Sequence, residues 1–201
     1  MALSICSIVM LGMSAILTSV AQGWTHTENT QGYVMAESAG MMRIERLLRN
    51  SRLTGAHHPG SIDGLSQPAY LVLWAEDRQP NGAVDVGEIA ILEHDPDTRT
   101  VRVWEIPGQT ALHNQELDRS LLDDPVNVAA FKEISAARPR TLAVNVAAMA
   151  LWVHPAVVEH QKPEIEYAVV FDRPVRRGKG QAAQVTQYGS AALRLADNTG
   201  D

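Results

Sequence analysis

Cysteine is nearly absent from the chain: the single thiol, Cys6, stands inside an apolar run. No disulfide framework can form within one chain, and the cysteine count says nothing about redox compartment. Charge is missing from the beginning, where no ionised side chain precedes Glu28, and proline is missing until Pro59. The familiar motifs of chemistry are missing too. There is no glycine-rich phosphate loop, no G-x-S-x-G elbow, no S-x-x-K and no helical H-E-x-x-H, so no motif supports nucleotide binding, and a hydrolase is not expected. A net charge of -6 gives no global attraction to nucleic acid or to an anionic membrane surface.

What is present begins with Met1 to Ala21 (MALSICSIVMLGMSAILTSVA), which is uncharged and free of proline. On a helix, at about 1.5 Å per residue, such a run reaches about 30 Å, the hydrocarbon thickness of a bilayer. Ser4, Ser7, Gly12, Ser14, Ala15, Thr18 and Ser19 are small or hydroxylated and would let another helix approach and hydrogen-bond. The expectation is a transmembrane helix over 1–21 that also packs against protein. A cleaved signal peptide is the alternative, since Ser19-Val20-Ala21 places small residues at both cleavage-site positions, although nothing basic precedes the run. A lipoprotein reading through Cys6 is disfavoured by bulky Ile5.

Beyond Gln22 the residues turn polar, and Val34, Met41, Ile44 and Leu48 then recur at the spacing of one apolar helical stripe. Arg43, Arg46, Arg49 and Arg52 take the other side. An amphipathic helix over 22–54 is therefore expected to continue the membrane helix, with Gly23, Gly32 and Gly40 as soft points. Breaker-rich Gly55 to Pro68 ends it.

A globular head is expected over 55–195. Ala69 to Ala75 (AYLVLWA), Glu88 to Glu93 (EIAILE) and Thr100 to Ile106 (TVRVWEI) read as strands of an antiparallel meander, the last two joined by the turn-like HDPDTR. Val101 and Val103 should share one face and Arg102, Trp104 and Ile106 the other. Asp124 before Pro125 reads as an N-cap followed by proline at the first helical position. Thr141 to His154 reads as a strand pair or one long strand, Ile165 to Arg173 as a strand, and Gln184 to Leu195 as a last strand with a glycine break. Residues 196–201 read as a disordered tail. The fold class expected is α+β: a long N-terminal helix, half membrane and half amphipathic, packed on an antiparallel sheet.

One loop carries a metal-ligand pattern. In Asp77 to Glu88 (DRQPNGAVDVGE), Asp77, Gln79, Asn81, Gly82 and Glu88 fall at the places of D-x-[DN]-x-[DN]-G-x5-E, with Asp85 at the ninth. Alternating oxygen ligands around a glycine turn suit a hard cation, so Ca2+ is the candidate cofactor, with Asp77, Gln79, Asn81, Asp85 and Glu88 as ligands. Gln79 and Pro80 depart from the pattern, and the flanks look like strands, so the other reading is a polar hairpin loop. His57, His58 and His94 read as loop residues, and Arg173, Arg176, Arg177 and Lys179 as a solvated hairpin tip.

An uncharged helix running into MMRIERLLRNSR, followed by strands like LVLWAED and EIAILEHD, resembles the type IV pilin-like proteins, most nearly the J-type minor pseudopilins of type II secretion systems. Specific matches span about Met41 to Ile106. The family's basic leader, glycine cleavage point and FTLIE-like start have no counterpart here, so no processing site or helix glutamate is carried over. The resemblance implies a non-enzymatic assembly subunit of a type II secretion or type IV pilus system. Its partners would be other pilin-like subunits, met through the N-terminal helix, and the membrane, with no nucleic acid or small-molecule substrate. It would be a single-pass protein of the bacterial inner membrane, head in the periplasm. A membrane-anchored or secreted extracytoplasmic binding domain is the rival.

Overall fold

The runs richest in branched and aromatic residues form strands, and two of them, Tyr70–Trp74 and Ile89–Asp95, are buried on both faces. The computed structural model describes residues 18–20, 30–62, 69–75, 83–108, 116–117, 123–154, 162–173 and 183–194. The chain divides into two compact units, Met1–Ser38 and Ala39–Asp201. In the first, residues 18–20 and 30–38 are helical.

The second unit starts with a helix over 39–50, α1. It stops because Ser51 turns back on it: the Ser51 amide donates to the Leu48 carbonyl at 3.1 Å and its hydroxyl to the Leu47 carbonyl at 2.7 Å. Among the described residues nine strands follow: β1 (Arg52–His58), β2 (Gly60–Ser61), β3 (Tyr70–Trp74), β4 (Ile89–Asp95), β5 (Thr100–Glu105), β6 (Arg138–Val144), β7 (Val146–His154), β8 (Glu164–Arg173) and β9 (Ala183–Ala192). A short helix, α2 (Pro125–Glu133), precedes β6. The strands form a five-stranded sheet in the order β1-β3-β4-β5-β6 and a four-stranded sheet in the order β2-β7-β8-β9, with antiparallel pairing throughout.

Alternation along the strands explains two cores. Leu71, Leu73, Ala90, Leu92, Val101 and Val103 point from the five-stranded sheet to one side, where they meet Ile44 and Leu48 of α1 and Met149, Leu151, Tyr167, Val169 and Phe171 of the four-stranded sheet. Val72, Trp74, Ile89 and Ile91 point to the other side, against Val128 and Phe131 of α2. A strand buried on both faces reads as an unbroken apolar run, which is what AYLVLWA and EIAILE are. The expected alternation in β5 is present: Val101 and Val103 are buried in the first core, while Trp104 and Ile106 belong to the second.

Asn145 carries the chain from one sheet to the other. It adopts φ 59°, the left-handed conformation that asparagine tolerates better than most residues, between β6 and β7. Its carbonyl accepts from the Asp172 amide at 2.8 Å, and the next amide, Val146, donates to Arg99 O at 2.8 Å. Thr141 to His154 is therefore a strand pair split between two sheets. The HDPDTR turn is held by Asp95, whose carboxylate accepts from the Asp97 amide at 3.0 Å and the Thr98 hydroxyl at 2.6 Å. Helix α1 approaches β6 closely because residue 40 is glycine: a Cβ there would lie 2.8 Å from Ala143 Cβ.

Two expectations are corrected. The fold is mostly antiparallel β rather than a sheet packed on one long N-terminal helix: in the second unit the helix ends at Asn50, and β1 begins at Arg52 by pairing with Trp74. No helix among the described residues is long and apolar enough to cross a membrane, which conflicts with the single-pass inner-membrane placement. The polar and charged side chains of residues 30–50 are the reason that segment does not qualify. The expected membrane run over 1–21 lies outside the described residues except for 18–20, as does the tail 196–201.

Candidate functional site

The sequence-predicted metal loop is only partly described. Asp77, Gln79 and Asn81 lie outside the described residues, together with Gly82. Asp85 and Glu88 bracket a 3-10 turn, Val86–Glu88, and are 1% and 2% exposed. The turn is tied down on both sides by main chain, since Ala75 N donates to Glu88 O at 2.9 Å and Leu117 N to Val84 O at 2.8 Å. The Glu88 carboxylate faces inward: Oε2 accepts from Trp74 Nε1 at 2.9 Å and from the Asp85 amide at 3.4 Å. The structure therefore brings Asp85 and Glu88 together and gives Glu88 a role in orienting the Trp74 indole. Among the described residues no group of three or more histidine, cysteine, aspartate and glutamate side chains is placed to hold a metal ion.

A second polar cluster escaped the sequence reading. It stands where β4, β5 and α2 meet, around Glu93. The Glu93 carboxylate accepts from Trp104 Nε1 at 2.5 Å, pairs with Arg102 at 3.4 Å and is held by the Lys132 ammonium. Arg102 reaches Asp95 at 2.6 Å, and its guanidinium lies 5.7 Å from the centre of the Trp104 ring. Register makes this cluster, because Glu93 sits directly across from Arg102. The available signal was the hairpin EHDPDTRTVRVW, whose turn, once counted, sets acid opposite base. Lys132 comes from a helix far along the chain, and nothing local foretells it. Two carboxylates and two cations balance here, each carboxylate satisfied by neighbours, so the cluster holds elements together rather than presenting a free acid or base. Burial alone would raise the Asp95 carboxyl; the Thr98 hydroxyl and amide, Arg102 and the Asp97 amide outweigh it and keep it below its ordinary value.

The remaining candidate residues are dispersed. His94 is buried, not a solvated loop residue, with Nε2 3.2 Å from the Val146 carbonyl; burial pushes its pKa down, against the opposing pull of that carbonyl and of Asp95. His58 Nδ1 accepts from the Gly60 amide at 3.2 Å, and its ring stacks 6.1 Å from Tyr70. Of the basic stretch, Arg173 ends β8 while Arg176, Arg177 and Lys179 lie outside the described residues. Three of the arginines at that spacing are also engaged: Arg43 donates to Leu142 O at 3.2 Å, Arg49 pairs with Glu45 at 2.6 Å, and Arg52 of β1 lies over the Trp74 ring at 4.5 Å.

Comparison with known protein families, with curated proteins and with solved structures finds no match for this chain.

Proposed function

We propose that the protein is a non-enzymatic assembly subunit of the pilin-like kind, serving a type II secretion or type IV pilus system. The observation that carries the reading is the burial of α1. Ile44 and Leu48, from the MMRIERLLRNSR segment on which the resemblance rests, are fully buried in a core shared by both antiparallel sheets. A helix seated in this way presents its other side to partners, and Met42 is 62% exposed there. In the first unit, the helical residues Val34 and Met35 are exposed as well, Met35 at 71%. Methionine's unbranched, polarisable side chain adapts its shape to a facing surface, and methionine is enriched at protein interfaces, which suits subunit packing.

The test is deletion of the gene in its native host, followed by complementation. Secretion of exoproteins and surface piliation are scored with the wild-type chain and with a Met35→Glu/Met42→Glu chain whose thermal melt matches the wild type. Loss on deletion, rescue by the wild type and failure of the double variant are expected. Unchanged secretion and piliation in the deletion strain would sink the reading.

A further inference from the structure

Among the described residues four strands end the two sheets, and three of them carry a device that discourages pairing with another chain. β1 holds Arg52, His57 and His58 and is broken by a register shift between Leu53 and His57. β2 is two residues long. β6 carries Arg138, Pro139 and Arg140, with a register shift opposite it on β5. Charge, proline, brevity and bulges are the usual protections of an edge. β9 has none of them. Its ten residues, AQVTQYGSAA, contain no charge and no proline, and it pairs with β8 in unbroken register from Glu164↔Ala192 to Arg173↔Ala183.

The direction of its backbone groups follows from the register. Leu193 N donates to Pro163 O at 2.8 Å, continuing the ladder by one pair. Residues of an antiparallel strand alternate between bonding the neighbour and pointing away, so odd-numbered residues of β9 bond β8 and even-numbered ones point to the outer side. Arg194 N, the next even position, confirms this parity by donating to Ser51 O at 3.0 Å, which marks where the outer edge becomes occupied. Among the described strands none pairs with β9 on that side. The side chains of Gln184, Thr186, Tyr188, Ser190 and Ala192 are exposed, Tyr188 at 72%.

We infer that β9 is a homotypic docking edge: a second copy of this chain adds its own β9 antiparallel to it, joining two four-stranded sheets into one. The occupant is argued from charge and symmetry. In a two-fold pair every residue meets a residue of the same strand, so a charge near the axis would meet its own kind. β9 carries none, although the chain as a whole is at -6. Even positions align with even only if the axis passes through a residue. With the axis on Gln187, Thr186 of each copy lies across from Tyr188 of the other, a favourable branched-aromatic pair made twice. Gln184 then lies across from Ser190, and the overlap stays clear of Ser51. This inference is independent of the pilin-like reading, since it concerns the second unit's sheet and not α1.

The test uses the purified full chain, its mass followed by light scattering from about 100 to about 1 µM, with amide exchange read residue by residue. Expected is a species of twice 21.9 kDa at the higher concentration. In it the Thr186, Tyr188 and Ser190 amides should exchange roughly tenfold or more slowly than after dilution. Thr186→Pro removes one outward N–H and leaves the β8 ladder whole. It should abolish both effects, as should Tyr188→Lys at an exposed position where folding is not at stake. A monomer at all concentrations overturns the inference, and so does a dimer in which these three amides exchange as fast as in the dilute protein.

Discussion

Tyr167 occupies the space a side chain at position 189 would need: a Cβ built on Gly189 stands 2.5 Å from Cζ of the tyrosine ring and 2.6 Å from its hydroxyl. The two residues face each other across β8 and β9, and Tyr167 is buried in the main core. The ring covers a glycine that would otherwise weaken the strand. Gly189→Ala should therefore destabilise the protein by about 1–3 kcal/mol, the range for overpacking a filled core. Urea unfolding checks it, and the loss should shrink when Tyr167→Ala is added, because the two substitutions share one space.

Gly40 poses the same question with an opposing term. Alanine in a helix interior is favoured over glycine by up to about 1 kcal/mol. At this position, however, the added Cβ would stand 2.8 Å from Ala143 Cβ, with the Leu142 carbonyl at 3.5 Å. The overlap should win, so Gly40→Ala lowers the melting temperature. Ala143→Gly on the same chain should restore part of the loss.

Acid stability should depend on His94. Burial lowers its folded pKa below the ordinary 6.5, so protonation favours the unfolded chain. Stability is complete above the unfolded value and falls as pH drops through about 6.5 towards the lower folded value. Between pH 7.5 and 5.5 the wild type should lose more melting temperature than His94→Gln. Equal losses would show that the buried imidazole is not the titrating group. Asp95 acts in a separate window: its folded pKa lies below 3.8, so its contribution is present above that value and vanishes only in stronger acid.

Alkaline stability should depend on Tyr167, whose hydroxyl is pushed up to about 12, first by burial and then by Glu45, with Arg49 opposing. The neutral form favours the fold, so stability is full below pH 10 and declines as pH rises from the unfolded value towards the folded one. Absorbance titration of the wild type should show one tyrosine ionising near pH 12 or with unfolding, and Tyr167→Phe should remove that step.

Glu93 is the residue on which the polar cluster depends. Glu93→Ala leaves Lys132 and the Trp104 indole N–H without their common acceptor, and should cost about 2–3 kcal/mol, near the lower end for breaking a largely buried pair. Lys132→Met should recover part of that loss in the Glu93→Ala background. A double-mutant cycle with no coupling would show that the pair contributes nothing.

Local pattern alone determined a good deal of this protein. Strands β3, β4, β5 and β8, the HDPDTR turn and the Asp124-Pro125 start of α2 follow from branched and aromatic runs, turn residues and capping chemistry, all of which act within a few residues. The stripe that buries Ile44 and Leu48 was legible for the same reason. Only the tertiary structure decided where α1 ends, because Arg52, just past Ser51, pairs with Trp74, more than twenty residues away. It also decided that β6 and β7 divide between two sheets at Asn145, that Glu93 collects Lys132, and that Glu88 turns inward to Trp74. These outcomes depend on contacts between distant segments, whose energies are settled when the sheets pair and pack, and no window of neighbouring residues contains them.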